Sequence, residues 1–426
     1  MNHDETTAIT GMGVMSAHGR GVPALANALL TARNPFHHSS HYAILNFPVI
    51  NAELPPFDFT QAVQQSRDLP ESILTHAIQA GRRAPLTIQV ALLSALEAWV
   101  NADLHQRRIA PERISLIVAG QNTTQAYQYQ MQQSFHKDPS YLTPKYALHF
   151  MDTDHVGTLS EVLQIQGEGF TVGGASASSH LALQQAHRLL QTNAADVCLV
   201  IGALADLSPL EIQAFANAGA LGGKHFAATP QLACRPFDKQ HEGFIWGQAG
   251  ACLVLEKTAH ANKHQQPILA KMPSFTMRLS ANRSADPDLA TEIAVMRSAI
   301  TNAGLSLNDI QYINAHGTSS TLGDCIEAEA IATLFADATT QPWINSTKSL
   351  TGHCLWSAGL VETIATVIQM QTDFLHANLN LEDPIRSDCR FVGRQPENTK
   401  TKIALNNAFG FGGIHASFIL LNEDLS

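Results

Sequence analysis

Short, continuous apolar runs alternate with stretches of helical spacing along nearly the whole of this 426-residue chain. That alternation constrains the fold more than any other feature. ISLIVAG (114–120) and DVCLVIGAL (196–204) are apolar at almost every position, so as strands they bury both faces of a sheet. AITGMGVMS (8–16), GACLVLEK (250–257), IQYINAHG (310–317), TKIALNNAFG (401–410) and ASFILLN (416–422) predict further strands. Helical spacing marks 85–104, 176–193, 291–304 and 357–371. Strands of this kind between such helices predict α/β layers with helices over both sheet faces. The length exceeds one ordinary domain and suits two halves sharing one core. The polar, proline-marked segment 260–275 is expected to join them, giving halves at 1–256 and 257–426.

Charge and cysteine content exclude several function classes. The net charge of −10 argues against a nucleic-acid surface. The six cysteines include no CxxC pair, and most sit in apolar runs, as expected for buried residues in a reducing compartment. The first residues, MNHDETTAITGMGV, lack a basic segment followed by an apolar one. No run is long enough to cross a bilayer. A cytoplasmic location, with no membrane partner, is expected. No glycine-rich turn carries the pattern of a nucleotide loop, and the histidines are scattered, so no metal or dinucleotide cofactor is expected.

Four segments carry candidate chemistry. FTVGGASASSHLALQQA (170–186) runs from a strand through a small-residue turn into a helix, placing Ser176 near a helix N-terminus, where negative charge is favoured. Taken alone, that serine reads as a helix cap. NAHGTSSTLGDCIEAEAI (314–331) puts His316 at a strand end, a place more often structural than catalytic. NSTKSLTGHCLWSAGLVETIA (345–365) holds Lys348 and His353 in a turn before a helix carrying Glu362. NNAFGFGGIHASF (406–418) is a strand, a glycine-rich turn and a strand, which is either a tight hairpin or a close backbone approach to a ligand.

In this order, and with ITGMGVMSAHG (9–19) and RPFDKQHEGFIWGQAGACLVLE (235–256), these segments resemble the β-ketoacyl synthase family over residues 9 to 420. The resemblance implies a thiolase-like fold, with two related α/β halves in an αβαβα core. It implies a homodimer, or a pair with a related subunit, and an acyl substrate on the phosphopantetheine arm of an acyl carrier protein. His316 matches the histidine of the AHGT motif and His353 that of KSxxGH. In the family these two histidines donate to the thioester carbonyl of malonyl during decarboxylation, and the resemblance implies the same for His316 and His353. Lys348 and Glu362 match the supporting lysine and glutamate. Phe411 matches the gating phenylalanine of GFGG, and its N–H, with that of Ser176, matches the oxyanion hole.

The nucleophile motif departs from the family. VGGASAS stands where the family has a stretch like VDTACSS, so Ser176 occupies the cysteine position. A thiol there is readily ionised, whereas a serine needs a general base. His241–Glu242–Gly243 replaces RDG, and Gln248 replaces a glutamate. Loss of the thiol with both histidines kept resembles the ketosynthase-like decarboxylases of polyketide β-branching cassettes, which convert malonyl-carrier protein to acetyl-carrier protein. Two alternatives remain: a serine-dependent condensing or acyl-transferring ketosynthase, and a non-catalytic partner subunit akin to a chain-length factor.

Overall fold

A computed structural model describes residues 6–422. Ten strands form one hydrogen-bonded path. They are β1 (Thr7–Ser16), β2 (Ile114–Ala119), β3 (Gly169–Val172), β4 (Val197–Gly202), β5 (Ala249–Lys257), β6 (Ala270–Leu279), β7 (Tyr312–Asn314), β8 (Trp343–Asn345), β9 (Ile403–Gly410) and β10 (Ile414–Leu421). The spatial order is β8-β7-β9-β10-β6-β1-β5-β4-β2-β3, and a short strand, Gly19–Arg20, pairs with β1 off this path.

The path repeats itself. Outward from its centre one block reads β1-β5-β4-β2-β3 and the other β6-β10-β9-β7-β8. Within each block of five, the strands come in the same chain order. The two inner pairings of each block are antiparallel and the two outer ones parallel. The blocks meet where β1 pairs antiparallel with β6.

Alternate residues of the strands feed different cores, as the two-residue period requires. Leu116 and Leu199 point to an outer core with helix α1 (Leu86–Asn101). Their neighbours Ile117 and Val200 point to a central core with helices α2 (Ser178–Gln191) and α5 (Ala358–Thr372). In the other block, Phe418 and Leu420 share that central core. Leu405 and Ile419 face a third core, packed with α3 (Leu289–Asn302) and α4 (Gly323–Leu334). Every residue of α5 from Ala358 to Met370 is buried, which fits a helix enclosed on all sides.

The segment expected to join the halves is not an irregular linker. It holds a short helix, Thr258–Lys263, and the first half of β6. Pro273 disguises that strand. It lies at the register shift between Lys271 and Ser274, a bulge where a proline removes no ladder bond. No helix among the described residues is long and apolar enough to cross a membrane.

Candidate active site

The two central helices start in matching ways. α2 follows a 3-10 turn, Ala175–Ala177, in which Ala175 has φ 48°. α5 follows the turn Leu355–Ser357, in which Leu355 has φ 53°. A positive φ on a side-chain-bearing residue costs on the order of 1–3 kcal/mol and is kept only where its surroundings impose it. Here the two turns pack against each other.

Ser176 is in the first of these turns and does not cap α2. The cap residue is Ala177, and Ser178 Oγ instead accepts from Gly174 N at 2.8 Å. Ser176 Oγ lies 2.8 Å from His353 Nε2. Gly410, at the end of β9, backs onto the turn. A Cβ there would stand 2.7 Å from the Gly174 carbonyl oxygen and 3.3 Å from Ser176 N. The glycine therefore lets the backbone leading to Phe411 run beside the Ser176 amide. Phe411 itself is 44% exposed and lines the mouth of a cavity of about 390 Å³, together with Ser176, His316 and His353.

His316 follows β7, and its backbone is held by α4. Glu327 accepts from His316 N at 2.8 Å and from Gly317 N at 2.7 Å. Asp324 accepts from Thr318 N and Ser319 N. Lys348 reaches His316 from the other side. Its Nζ is 2.6 Å from the His316 carbonyl oxygen, 3.4 Å from His316 Nδ1 and 2.5 Å from Glu362 Oε1. An ammonium only donates, so Nδ1 of His316 is the acceptor and its ring proton belongs on Nε2.

His353 sits where Gly352, at φ 69°, turns the chain against Gly247; a Cβ on Gly352 would be 2.9 Å from Gly247 Cα. His353 N donates to the Ile245 carbonyl oxygen at 2.7 Å, and Phe244 meets the ring edge-on at 5.5 Å. The two histidine rings are 5.6 Å apart at 84°. Burial, then the Lys348 charge, holds both imidazoles well below their usual pKa, so both are neutral. Burial pushes the Glu362 carboxyl up, against the pull of Lys348. Glu327 is pushed up to about 7 by burial, against its N–H partners.

The fold thus brings Ser176, His316, His353, Lys348, Glu362 and Phe411 to one place. The departures from the family's pattern find partners as well. Glu242 accepts from Gly223 N at 2.6 Å, His241 Nδ1 lies 3.5 Å from Asp324, and Gln248 Oε1 accepts from Leu54 N at 3.0 Å. Sequence reasoning missed Glu327 and Asp324. Both lie within the segment singled out around His316, but their role depends on α4 folding back over that loop. It also missed Glu292 and His415, which reach the same cavity from α3 and β10.

The model of the β-ketoacyl synthase N-terminal domain matches residues 4–261, and that of the C-terminal domain matches residues 274–382. The chain belongs to the β-ketoacyl synthase family. A curated relative of this synthase-family chain is the polyketide biosynthesis malonyl-ACP decarboxylase PksF of Bacillus subtilis, 34% identical and covered over 97% of this chain and 96% of its own. The 3-oxoacyl-[acyl-carrier-protein] synthase 2 of Coxiella burnetii is 28% identical, with 97% of each chain covered. Among solved structures, a β-ketoacyl synthase from Burkholderia phymatum superposes with a TM-score of 0.84 at 24% identity, over 98% of this chain and 99% of that one. The type II polyketide ketosynthase AntDE, solved with its acyl-carrier protein AntF, gives the same TM-score at 22% identity, over 98% and 99% of the two chains. The fold is thiolase-like.

Proposed function

We propose that this chain is a malonyl-acyl carrier protein decarboxylase, and that Ser176 receives a hydrogen bond and is not a nucleophile. The observation that carries this reading is the state of His353. Its Nδ1 is buried and has no hydrogen-bond partner among the described residues. A buried N–H without a partner is rarer and costlier than an unshared lone pair, so the ring proton belongs on Nε2. There it donates to Ser176 Oγ at 2.8 Å. An imidazole that donates to a hydroxyl is not acting as its base, and an unassisted serine is a poor nucleophile.

The same assignment suits decarboxylation. His316 and His353 then both present Nε2–H groups, and the substrate's thioester oxygen takes the place of Ser176 as acceptor. The bond between the α-carbon and the carboxylate breaks, carbon dioxide leaves, and the electron pair moves onto that oxygen as an enolate. Neutral, fixed donors stabilise this charge as it develops. Protonation of the α-carbon gives the acetyl thioester. Phe411 guards the entrance, and the N–H groups of Phe411 and Ser176 serve as the oxyanion hole. The name of the Bacillus relative supports the reading.

The carrier protein delivers the substrate, the acetyl product serves β-branching in polyketide assembly, and the enzyme works as a homodimer in the cytoplasm. β3 ends the sheet with a hydrogen-bonded neighbour on one side only, an open edge that a second copy would complete. Intact-mass measurement of a malonyl-loaded carrier tests the activity. Conversion to the acetyl form, with no elongated product when an acyl primer is added, is expected. An unchanged malonyl mass favours a partner subunit, and an elongated chain favours a synthase.

A further inference from the structure

Decarboxylation to an acetyl thioester needs a proton at carbon that the oxygen-holding histidines do not supply. Both are neutral donors committed to the enolate oxygen. Lys348 is tied to Glu362 and the His316 carbonyl, away from the cavity. Condensation consumes the enolate by adding it to an acyl group. A decarboxylase must protonate it, and on this fold the acid has to come from another wall.

That wall is made by α3 and β10. Glu292, in the first turn of α3, is 1% exposed and lines the cavity. Its Oε2 is buried with no hydrogen-bond partner among the described residues. Glu327 acts on it from α4, and Asp288 caps the start of its own helix. Glu327 is a different kind of carboxylate, since it accepts three N–H groups, from His316, Gly317 and Asn407, and has its oxygens engaged. His415, on β10, lines the same cavity. It is 2% exposed, and neither ring nitrogen has a hydrogen-bond partner among the described residues. Phe409 stands between His316 and His415, 5.8 Å from the first and 5.3 Å from the second. Asp286 lines the cavity from the loop ahead of α3 and leads to solvent.

Resting on the decarboxylase reading, we propose that Glu292 is the acid that protonates the enolate, and that His415 restores its proton from solvent. The carboxyl O–H bond breaks as a C–H bond forms at the α-carbon, giving the acetyl thioester and a Glu292 carboxylate. A proton from water, passed through His415, regenerates the acid, so each turnover takes up one proton and releases one carbon dioxide. Burial, with the charges of Glu327 and Asp288, holds the Glu292 carboxyl well above its ordinary pKa, so it starts each cycle protonated. His415 is lowered by burial and is neutral, able to accept a proton and pass it on.

Glu292→Gln keeps the shape of the side chain and removes the acidic proton. Two rates are measured on malonyl-loaded carrier in isotope-labelled bicarbonate. One is acetyl-carrier formation; the other is entry of label into the remaining malonyl-carrier, which reports an enolate that recaptures carbon dioxide before it is protonated. Glu292→Gln is expected to slow acetyl formation about 100-fold and to raise label entry relative to product. His415→Asn is expected to give a smaller loss, with the same rise in the ratio. Acetyl formation at the wild-type rate in Glu292→Gln, or an equal loss of both rates, overturns the proposal. If wild-type protein forms no acetyl-carrier, the decarboxylase reading fails and the proton role fails with it. Wild-type turnover with an unaffected Glu292→Gln removes the proton role alone. Thermal melts of both variants establish that they are folded when assayed.

Discussion

The Lys348 ammonium meets the Glu362 carboxylate at 2.5 Å, with both side chains almost wholly buried. The pair joins the turn carrying His353 to the helix behind it, and the same ammonium reaches back to His316. Glu362→Gln leaves that charge buried without its counter-ion. Such a loss typically costs about 3–5 kcal/mol. Denaturant unfolding is expected to show a lower midpoint, and decarboxylation is expected to fall with it, because His316 loses its fixed tautomer.

On the proposed decarboxylase reading, His316→Ala and His353→Ala each remove one donor from the enolate oxygen. Loss of one preorganised donor typically lowers turnover about 10²–10³-fold. Carbon dioxide release is the measurement, and either alanine variant working at the wild-type rate would falsify the histidine roles.

Ser176→Ala separates the readings of the serine. If Ser176 only accepts from His353, decarboxylation stays within about tenfold of wild type, the scale of one hydrogen bond. A nucleophilic serine predicts complete loss instead. Mass spectrometry of the wild-type chain after incubation with an acyl donor gives an independent check, and no acyl ester on Ser176 is expected.

Gly410→Ala drives a methyl group into the Gly174 carbonyl and toward the Ser176 amide. The strained turn at Ala175 has to shift. Overpacking of this kind typically costs about 1–3 kcal/mol. A fall in turnover larger than the fall in melting temperature suggests is expected, because the displaced atoms border the site.

Acid should destabilise the protein through its buried histidines. Burial holds His155, His187 and His376 at about 4 and His180 at about 3, against an ordinary 6.5. Between those values the unfolded chain binds more protons than the folded one, so stability rises with pH. Glu327, raised to about 7, Asp206, raised to about 6, and Glu97, Glu292 and Glu362, all raised by burial, act in the opposite sense, because the folded chain holds their protons longer. The histidines outnumber them, and His316 and His353 join the same side. The melting temperature is therefore expected to drop as pH falls from 6.5 toward 4. A flat profile over that window would mean that the raised carboxyls cancel the histidines or that these rings are charged when folded.

Much of this was legible in the sequence because the strands are apolar on both faces. VCLVIG and ISLIVA cannot be read as surface, and they became β4 and β2. The helix spacing at 291–304 and 357–371 located α3 and α5 to within two residues at each end. β6 was hidden by Pro273 and by the polar residues before it. Ser176, His316 and His353 stood out through their motifs. Their contacts did not, because Ser176 and His353 are 177 residues apart and meet only when the two central helices pack. Glu292 and His415 were invisible for a similar reason. Glu292 lies on an ordinary amphipathic helix and His415 in the segment 406–418 singled out for its glycines, and only the cavity between α3 and β10 gives either of them anything to do.

The antiparallel seam between β1 and β6 has a mechanical consequence. Ser176 is supplied from one side of that seam and both histidines from the other, and backbone pairing of Thr7–Ile9 with Ala270–Met272 ties the two sides together. The two blocks also share the buried central core, so backbone pairing and packing both oppose their separation. A ligand entering the cavity meets Ser176 on one wall and the two histidines on the other, with the exposed ring of Phe411 on the hairpin at its rim.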